Sequence, residues 1–299
     1  MKLDHGNLRA LAAVVREGSF ERAALSLNVT PSAVSQRIKA LEDRMGRLLV
    51  QRTVPAVATA DGQVLVRLAE QTALLEHDAL NRLGVADDDV PYASIPVAVN
   101  HDSLETWFVD AAVQFSARTR ATLDMQSEDQ DHTAALLRNG SVLGAVTALA
   151  EPVQGCRIHA LGSMRYVATC TPAFHKRHFS QGVNAQTLAQ APVLVFNRKD
   201  ALQARFAHKI SDPVPWQPPV WWVPSTRAFV QATLGGLGWT MNPLPLVQEH
   251  LDAGQLMLLR GRAWEDVPLY WQHWRVNSEA MEALTASVLS AARSLVRRR

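Results

Sequence analysis

Apolar residues near the N-terminus recur at the three- and four-residue spacing of helices, in three short blocks. The blocks are Leu8, Leu11, Ala12 and Val15; Ala23, Ala24 and Leu27; and Val34, Ile38 and Leu41. Asn28 tolerates the left-handed turn conformation and can end the second helix. Thr30 and Pro31 suit the N-cap and the first position of the third helix. Two helices joined by so short a turn are typical of a helix-turn-helix that binds DNA.

Polar residues occupy the remaining faces of the third predicted helix, near the end that enters a major groove in such motifs. An ordinary helical hairpin with a solvated helix is the alternative interpretation. After this helix, residues 52–59 alternate in polarity, contain a proline and lead to Asp61–Gly62, which predicts a short hairpin or wing. The candidate DNA-binding residues are therefore Thr30, Pro31, Ser32, Ser35, Gln36, Arg37, Lys39, Arg52 and Thr53.

A long helix is predicted from about Ala60 to Leu83, followed by a linker rich in glycine, aspartate and proline up to Pro91. Its apolar positions repeat with the spacing of a two-stranded coiled-coil seam. They are Leu65, Leu68, Thr72, Leu75 and Ala79. On pattern alone, the stripe fits a dimer seam and packing on the helix's own domain equally well.

The rest of the chain alternates short β-branched runs with helical patterns, which indicates βαβ units and parallel sheets. The predicted strands include residues 95–99, 121–126, 142–146, 166–170 and 193–196. The intervening helical patterns include residues 104–117, 133–139 and 229–237, and a last helix spans about 278–296. We therefore predict an α/β domain after the long helix.

Polar residues at the ends of these strands and at the starts of the helices are candidates for binding a small molecule. Hydroxyl groups at two predicted helix starts can donate to a carboxylate, and an acidic run after the second strand favours a cation. Helix capping alone is an open alternative for Asp102 and Asp131. The candidate residues are Asp102, Ser103, Glu128, Asp129, Asp131, Thr147, Ser225 and Thr226.

Length and charge agree with a DNA-binding module attached to a larger body. The chain has 299 residues, enough for two or three compact units, and 47% of it is hydrophobic. Its net charge is only +2, but the first 60 residues hold nine bases and five acids, a local charge of +4. A basic segment on a nearly neutral body is suited to neutralising phosphates.

Several other classes of protein are disfavoured by the sequence. The N-terminus lacks the apolar run of a secretory signal, and no stretch is long and apolar enough to span a membrane. Cys156 and Cys170 lack the spacing of a metal or redox site, so two reduced thiols in a cytoplasmic protein are expected. Nucleophile and metallopeptidase motifs are absent as well, so we expect neither catalysis nor a cofactor other than an effector.

The N-terminal residues resemble the LysR-type transcriptional regulators. Matching segments include Gly18–Phe20, Ala23–Ala24, Thr30–Gln36 and Leu41–Glu42. Val50 departs from the family, in which phenylalanine is usual before the wing arginine. The resemblance extends to the lysine- and arginine-responsive ArgP/LysG branch through Asn100–Phe108, Glu128–Thr133, Gly144–Thr147 and Tyr270–Trp274.

This resemblance implies an α+β multidomain fold: an N-terminal winged helix-turn-helix (1–60), a long linker helix (61–90), and a C-terminal α/β effector domain (91–299). The effector domain is expected to be two-lobed and periplasmic-binding-protein-like. Lobe 1 would comprise residues 91–163 and 267–299, and lobe 2 residues 164–266. The chain would cross between the lobes near Gly162–Met164 and Asp266–Pro268, and a cleft would lie between them.

The resemblance also implies a cytoplasmic transcriptional regulator that binds double-stranded DNA and senses lysine or arginine. It implies a homodimer, further assembled into a homotetramer, that contacts RNA polymerase, with a basic-amino-acid exporter gene as a target. An architectural or replication-origin DNA-binding protein, with a secondary amino-acid response, is the first alternative. The second is an enzyme or solute-binding protein with an accessory helix bundle, which would need a catalytic constellation or a signal peptide.

Overall fold

The computed structural model describes residues 3–83, 93–128, 133–211, 216–261 and 264–295. The chain divides into two compact units. The first contains residues 1–99, 110–159 and 271–290, and the second contains residues 100–109, 160–270 and 291–299. The chain passes between the units at five points, which lie after Val99, Val109, His159, Tyr270 and Ser290. The passages after His159 and Tyr270 are near Gly162–Met164 and Asp266–Pro268, whereas the other three have no counterpart in the lobes that the resemblance implies.

The N-terminal half contains helices α1 His5–Glu17, α2 Phe20–Ser26, α3 Pro31–Met45, α4 Ala60–Arg82, α5 His101–Ser103, α6 Val109–Ser116 and α7 Thr133–Arg138, with a π-helical turn at Leu104–Phe108. The strands among them are β1 Val50–Gln51, β2 Val57–Ala58, β3 Ser94–Asn100, β4 Thr122–Glu128 and β5 Gly144–Thr147.

The C-terminal half contains strands β6 Cys156–Cys170, β7 Val193–Val195, β8 Val220–Trp222, β9 Thr240–Pro243, β10 Met257–Leu258 and β11 Trp264–Trp274. Its helices are α8 Pro172–His178, α9 Ala185–Gln190, α10 Leu202–Ser211, α11 Thr226–Leu234, α12 Leu244–Asp252 and α13 Glu279–Ala291, followed by a 3-10 turn at Ala292–Leu295.

The helix-turn-helix has the cap, the turn and the buried face that the sequence predicts. The Thr30 hydroxyl accepts a hydrogen bond of 3.2 Å from the backbone N–H of Ala33, and Pro31 begins α3. Asn28 lies between the two helices with φ of 51°, in the left-handed region. The apolar stripe of α3 is buried against α1 and α2. These contacts confirm the predicted turn, cap and core face.

The predicted wing is a hairpin in which β1 and β2 pair antiparallel, with Val50 opposite Ala58. Val50 is buried in the core of the N-terminal helices even though it replaces the usual phenylalanine. A carboxylate of α3 supports the hairpin, because Glu42 Oε1 accepts hydrogen bonds from the backbone N–H groups of Leu49 (2.8 Å) and Val50 (3.3 Å). The Leu41–Glu42 motif in the sequence gives no indication of this role.

The long helix α4 agrees with the predicted helix, but its apolar positions divide between two environments. Leu65 packs against the core of the N-terminal helices and so faces its own domain. Leu68 and Leu75 are 38% and 46% exposed, respectively. The predicted seam is therefore corrected at Leu65, while Leu68 and Leu75 remain available to a partner helix.

Helix α4 also contacts α13 and β11 within the first unit. The Asp78 carboxylate accepts a 2.9 Å hydrogen bond from the backbone N–H of Glu279, where α13 begins. Arg82 forms a 2.7 Å ion pair with the side chain of Glu279. The Arg67 guanidinium lies over the Trp274 ring, 4.2 Å from its centroid. Helix α4 thus belongs to the fold of the first unit along much of its length.

The sheet strands follow the predicted α/β alternation. In the first unit β3 pairs parallel with β5, and Gly144 of β5 lies so close to the Trp271 ring that a Cβ would be 2.3 Å away. In the second unit β6 pairs antiparallel with both β9 and β10, and β7 pairs parallel with β8. Strand β6 is 15 residues long, three times the length of the strand predicted at residues 166–170. No helix among the described residues is long and apolar enough to cross a membrane.

Candidate DNA-binding surface and effector site

The candidate DNA-binding side chains lie on α3 and in the β1–β2 loop. Thr30, Pro31, Ser32, Gln36 and Lys39 are exposed, whereas Ser35 and Arg37 are partly buried. Each can approach a nucleic acid while the opposite side of α3 remains in the core.

The loop of the wing adds the two remaining candidates. Arg52 and Thr53 are exposed, and the Arg52 guanidinium lies over the Phe20 ring, 5.1 Å from its centroid. The Thr53 hydroxyl donates a 2.7 Å hydrogen bond to the backbone carbonyl of Pro55. A cation and a hydroxyl in such a loop are suited to contacting phosphate.

In the second unit, Asp102 and Ser103 lie at the start of one continuous helical segment, from His101 to Ser116. Its second turn, Leu104–Phe108, is π-helical, a local widening that is frequent at functional sites. Ser103 is fully buried, and its hydroxyl has no hydrogen-bond partner among the residues described. A buried hydroxyl without a partner is costly, so it favours a ligand that accepts or donates a hydrogen bond there.

The carboxylate of Asp102 is held by a residue that sequence reasoning missed. Tyr166, on β6, donates a 2.6 Å hydrogen bond from its hydroxyl to Asp102 Oδ2. Tyr166 is 1% exposed, so its ring is fixed by packing. Asn100 occupies the N-cap position of this helix, and Asp102 lies in its first turn. No local pattern could have linked two residues 64 positions apart.

Aromatic rings complete the polar cluster of Asp102, Ser103 and Tyr166. The His101 ring lies 4.9 Å from that of Phe196, and Phe196 lies 6.1 Å from Phe229 of α11. The backbone N–H of Phe196 donates a 3.1 Å hydrogen bond to the Asp200 carboxylate, which fixes the turn after β7. These rings add an apolar surface that suits the aliphatic part of a ligand.

Ser225 and Thr226 are at the start of α11, as predicted. The Ser225 hydroxyl accepts a 3.4 Å hydrogen bond from the backbone N–H of Ala228, so it serves as the N-cap. Thr226, the first residue of the helix, is 8% exposed. The first turn of α11 therefore presents backbone donors and a nearly buried hydroxyl.

The remaining candidates belong to the first unit. Thr147 ends β5, is buried, and accepts a 3.1 Å hydrogen bond from the backbone N–H of Leu149. Glu128 ends β4 and is partly buried. Asp129 and Asp131 lie outside the described residues, so the predicted acidic run is represented here by Glu128 alone.

Neither cysteine is placed for chemistry. Cys156 and Cys170 are free and buried, and burial raises the pKa of the Cys156 thiol to about 11 and that of Cys170 to about 12. Both thiols are protonated at neutral pH and therefore weakly nucleophilic. Within the described part of the chain, no three His, Cys, Asp or Glu side chains are grouped to hold a metal ion.

Comparison with known proteins identifies both parts of the chain. Residues 5–63 match the bacterial regulatory helix-turn-helix proteins of the lysR family, and residues 93–293 match the LysR substrate-binding domain. The chain belongs to the LysR family of transcriptional regulators. Regulators of this family bind DNA and form oligomers, and each combines a helix-turn-helix with an effector-binding domain.

Proteins similar to this chain align with nearly its whole length. The lysine export transcriptional regulatory protein LysG of Corynebacterium glutamicum is 42% identical over 286 residues, 95% of this chain and 96% of that protein. The crystal structure of ArgP from Mycobacterium tuberculosis is 44% identical, with a TM-score of 0.84 and full coverage of both chains. Full-length LysG from C. glutamicum with bound effector Arg is 40% identical, with a TM-score of 0.74, covering 99% of this chain and 100% of that one.

Proposed function

We propose that this LysR-family regulator senses a basic amino acid, lysine or arginine, through its C-terminal domain. The observation that carries the proposal is the buried, unpartnered Ser103 hydroxyl beside the Asp102 carboxylate that Tyr166 holds. A donor next to an acceptor is suited to an amino acid, which carries a carboxylate and an ammonium group. The similarity to a LysG structure with bound Arg supports the same class of effector.

Each part of the ligand has a proposed partner. Ser103 and the first turn of α11 at Ser225–Thr226 would donate to the α-carboxylate, since helix starts favour negative charge. Asp102 would accept from the α-ammonium. Glu128, Asp129 and Asp131, together with Thr147, are proposed from the sequence as contacts for the cationic side chain.

Regulation requires that the effector bind two arrangements of the oligomer with different affinity. We propose a homodimer joined through the exposed face of α4 and assembled into a tetramer on DNA, with contact to RNA polymerase. Arg37, Lys39 and the other α3 candidates, together with Arg52 and Thr53 of the wing, would bind an imperfect palindrome. A gene for basic-amino-acid export is the proposed target, as the name of the C. glutamicum relative suggests. The proposed compartment is the cytoplasm.

Calorimetric titration of the full-length protein with arginine, lysine and norleucine tests the proposal. Norleucine keeps the amino-acid head group and side-chain length of lysine but lacks the side-chain charge. We expect arginine and lysine to bind roughly thirtyfold or more tightly than norleucine, since about 2 kcal/mol is lost when a buried carboxylate is left unpaired. Equal affinity for lysine and norleucine would contradict the proposal, as would no binding of either basic amino acid.

A binding-site selection from genomic fragments, with and without arginine, tests the regulatory part. We expect the protein to enrich a small number of promoter fragments, with affinity or footprint length that changes when arginine is added. Broad binding of A·T-rich DNA that is indifferent to amino acids would instead favour an architectural role.

A further inference from the structure

The first unit contains a cavity that lies outside the candidate effector residues. Its volume is about 430 Å³, and its walls come from α1, the wing, α4, β3, β4 and the turn after α7. It therefore lies where the N-terminal helices meet the edge of the sheet in the same unit. The polar groups that line it are Arg16, Gln63, Glu70, Ser94, Asp124, Gln126 and Ser141.

The charges around this cavity are unbalanced. Glu70 of α4 and Asp124 of β4 both line it, and Arg16 of α1 is the single basic residue of its lining. Arg16 Nε also lies 3.6 Å from Glu17 Oε1, so the positive charge of Arg16 is shared between the Glu17 carboxylate and the cavity. Burial raises the pKa of Glu70; the Arg16 guanidinium opposes that rise and the Asp124 carboxylate adds to it. The lining thus holds two carboxyl groups and one guanidinium, and a bound cation would favour the charged form of Glu70.

An unpartnered acceptor lines the same cavity. Gln63 Oε1 is buried and has no hydrogen-bond partner among the described residues. Leaving such an acceptor unsatisfied is costly, so a bound donor that reaches it would stabilise the protein. Gln63, Glu70 and Asp124 are three side chains with acceptor oxygens, on two different elements.

We propose that this cavity binds a small primary amine in its protonated form. An ammonium group has three N–H donors and a single positive charge, which suit the acceptor side chains of Gln63, Glu70 and Asp124. A short alkyl chain suits the apolar part of the wall. That part is formed by Ala12, Val15, Ala56, Val66 and Pro96.

Such a ligand would join the DNA-binding helices to the sheet of the same unit. Gln63 and Glu70 lie on α4, which leads out of the wing, whereas Asp124 and Gln126 lie on β4. An amine held by both elements would stabilise their contact. The site is distinct from the effector site proposed above, because none of the candidate effector residues lines it.

Calorimetric titration of the full-length protein with n-butylamine tests this inference. The amine is protonated at neutral pH and lacks the carboxylate that the effector site is proposed to require. Matched titrations use 1-butanol, its neutral analogue, at the same ionic strength. We expect saturable binding of n-butylamine and none of 1-butanol, with at least tenfold weaker binding in Glu70→Gln and in Asp124→Asn.

Two further variants locate the amine. Glu249→Gln, an exposed carboxylate on α12, should leave n-butylamine binding unchanged. Asp102→Asn should also leave it unchanged, because that carboxylate belongs to the proposed effector site. No saturable binding to the parent protein would overturn the inference, and so would loss of binding in Asp102→Asn with full binding in Glu70→Gln. Using two acidic residues on different elements keeps the test decisive if one variant folds poorly.

Discussion

The DNA-binding helices and the Asp102 cluster use polar residues in opposite ways. On α3 the candidate side chains are mostly exposed, and local contacts such as the Thr30 cap shape the helix that carries them. In the Asp102 cluster, Ser103 and Tyr166 are buried and Asp102 is partly buried, and the decisive hydrogen bond joins residues 64 positions apart. A surface that approaches many DNA sequences can be solvated until it binds. A site that selects one small molecule gains specificity from groups kept away from water.

This difference has a consequence for mutations. A change on the exposed face of α3 or α4 should alter binding to DNA or to another subunit and leave the fold intact. A change in the buried cluster should alter ligand affinity and also disturb the packing that holds the cluster.

Replacing both Leu68 and Leu75 with aspartate should give the largest loss. Both leucines are exposed on α4, where a partner helix would cover them. Carboxylates there should break the dimer, and linked half-site binding would lose roughly a hundredfold or more of its affinity. Ultracentrifugation and gel shifts on a DNA fragment selected by the parent protein measure both effects. The control is Leu237→Asp, an exposed leucine outside α4; a double variant that remains dimeric and binds DNA would refute the seam.

Asp102→Asn should weaken arginine binding by about 2 kcal/mol, because a hydrogen bond to a charged group is lost. Tyr166→Phe should have a smaller effect, about 1 kcal/mol, since it leaves the carboxylate but removes the hydroxyl that orients it. Calorimetry of the full-length variants gives both values. Asp110→Asn, exposed on α6, is the control. Unchanged arginine affinity in Asp102→Asn would remove this cluster from the effector site.

Arg37→Ala and Lys39→Ala should each weaken DNA binding by about 1 to 2 kcal/mol and leave arginine affinity unchanged. Lys39 is the more exposed of the two and is expected to contact phosphate, so its loss should reduce the salt dependence of binding by about one unit of slope. Gel shifts at several salt concentrations measure this slope. Arg260→Ala, at an exposed site in the second unit, is the control. If both α3 variants bind DNA as the parent does, another element reads the operator.

The smallest effects should come from two matched helix caps. Thr30 caps α3 and Ser225 caps α11, so alanine at either position should cost about 1 kcal/mol of stability. Thr30→Ala should also weaken DNA binding, whereas Ser225→Ala should weaken arginine binding. Urea unfolding, gel shifts and calorimetry separate these effects. A Ser225→Ala variant with normal arginine affinity would limit that residue to capping.

The sequence alone was sufficient to predict the helix-turn-helix, the wing and the length of α4. Caps, turns and apolar stripes depend on residues only a few positions apart. The roles of Thr30, Asn28 and Ile38 can therefore be predicted from their neighbours in the sequence. The resemblance to LysR regulators was equally readable, because its motifs are contiguous segments such as Thr30–Gln36.

Only the tertiary structure decided which polar groups meet. Leu65 fits a coiled-coil seam by spacing, yet it packs on its own domain because the N-terminal helices lie against that face of α4. The pairing of Tyr166 with Asp102, and the gathering of Glu70, Asp124 and Gln63 around one cavity, depend on strand and helix placement over long stretches of chain. Periodicity shows which face of an element is buried, but the partner on that face is set by the packing of the whole domain.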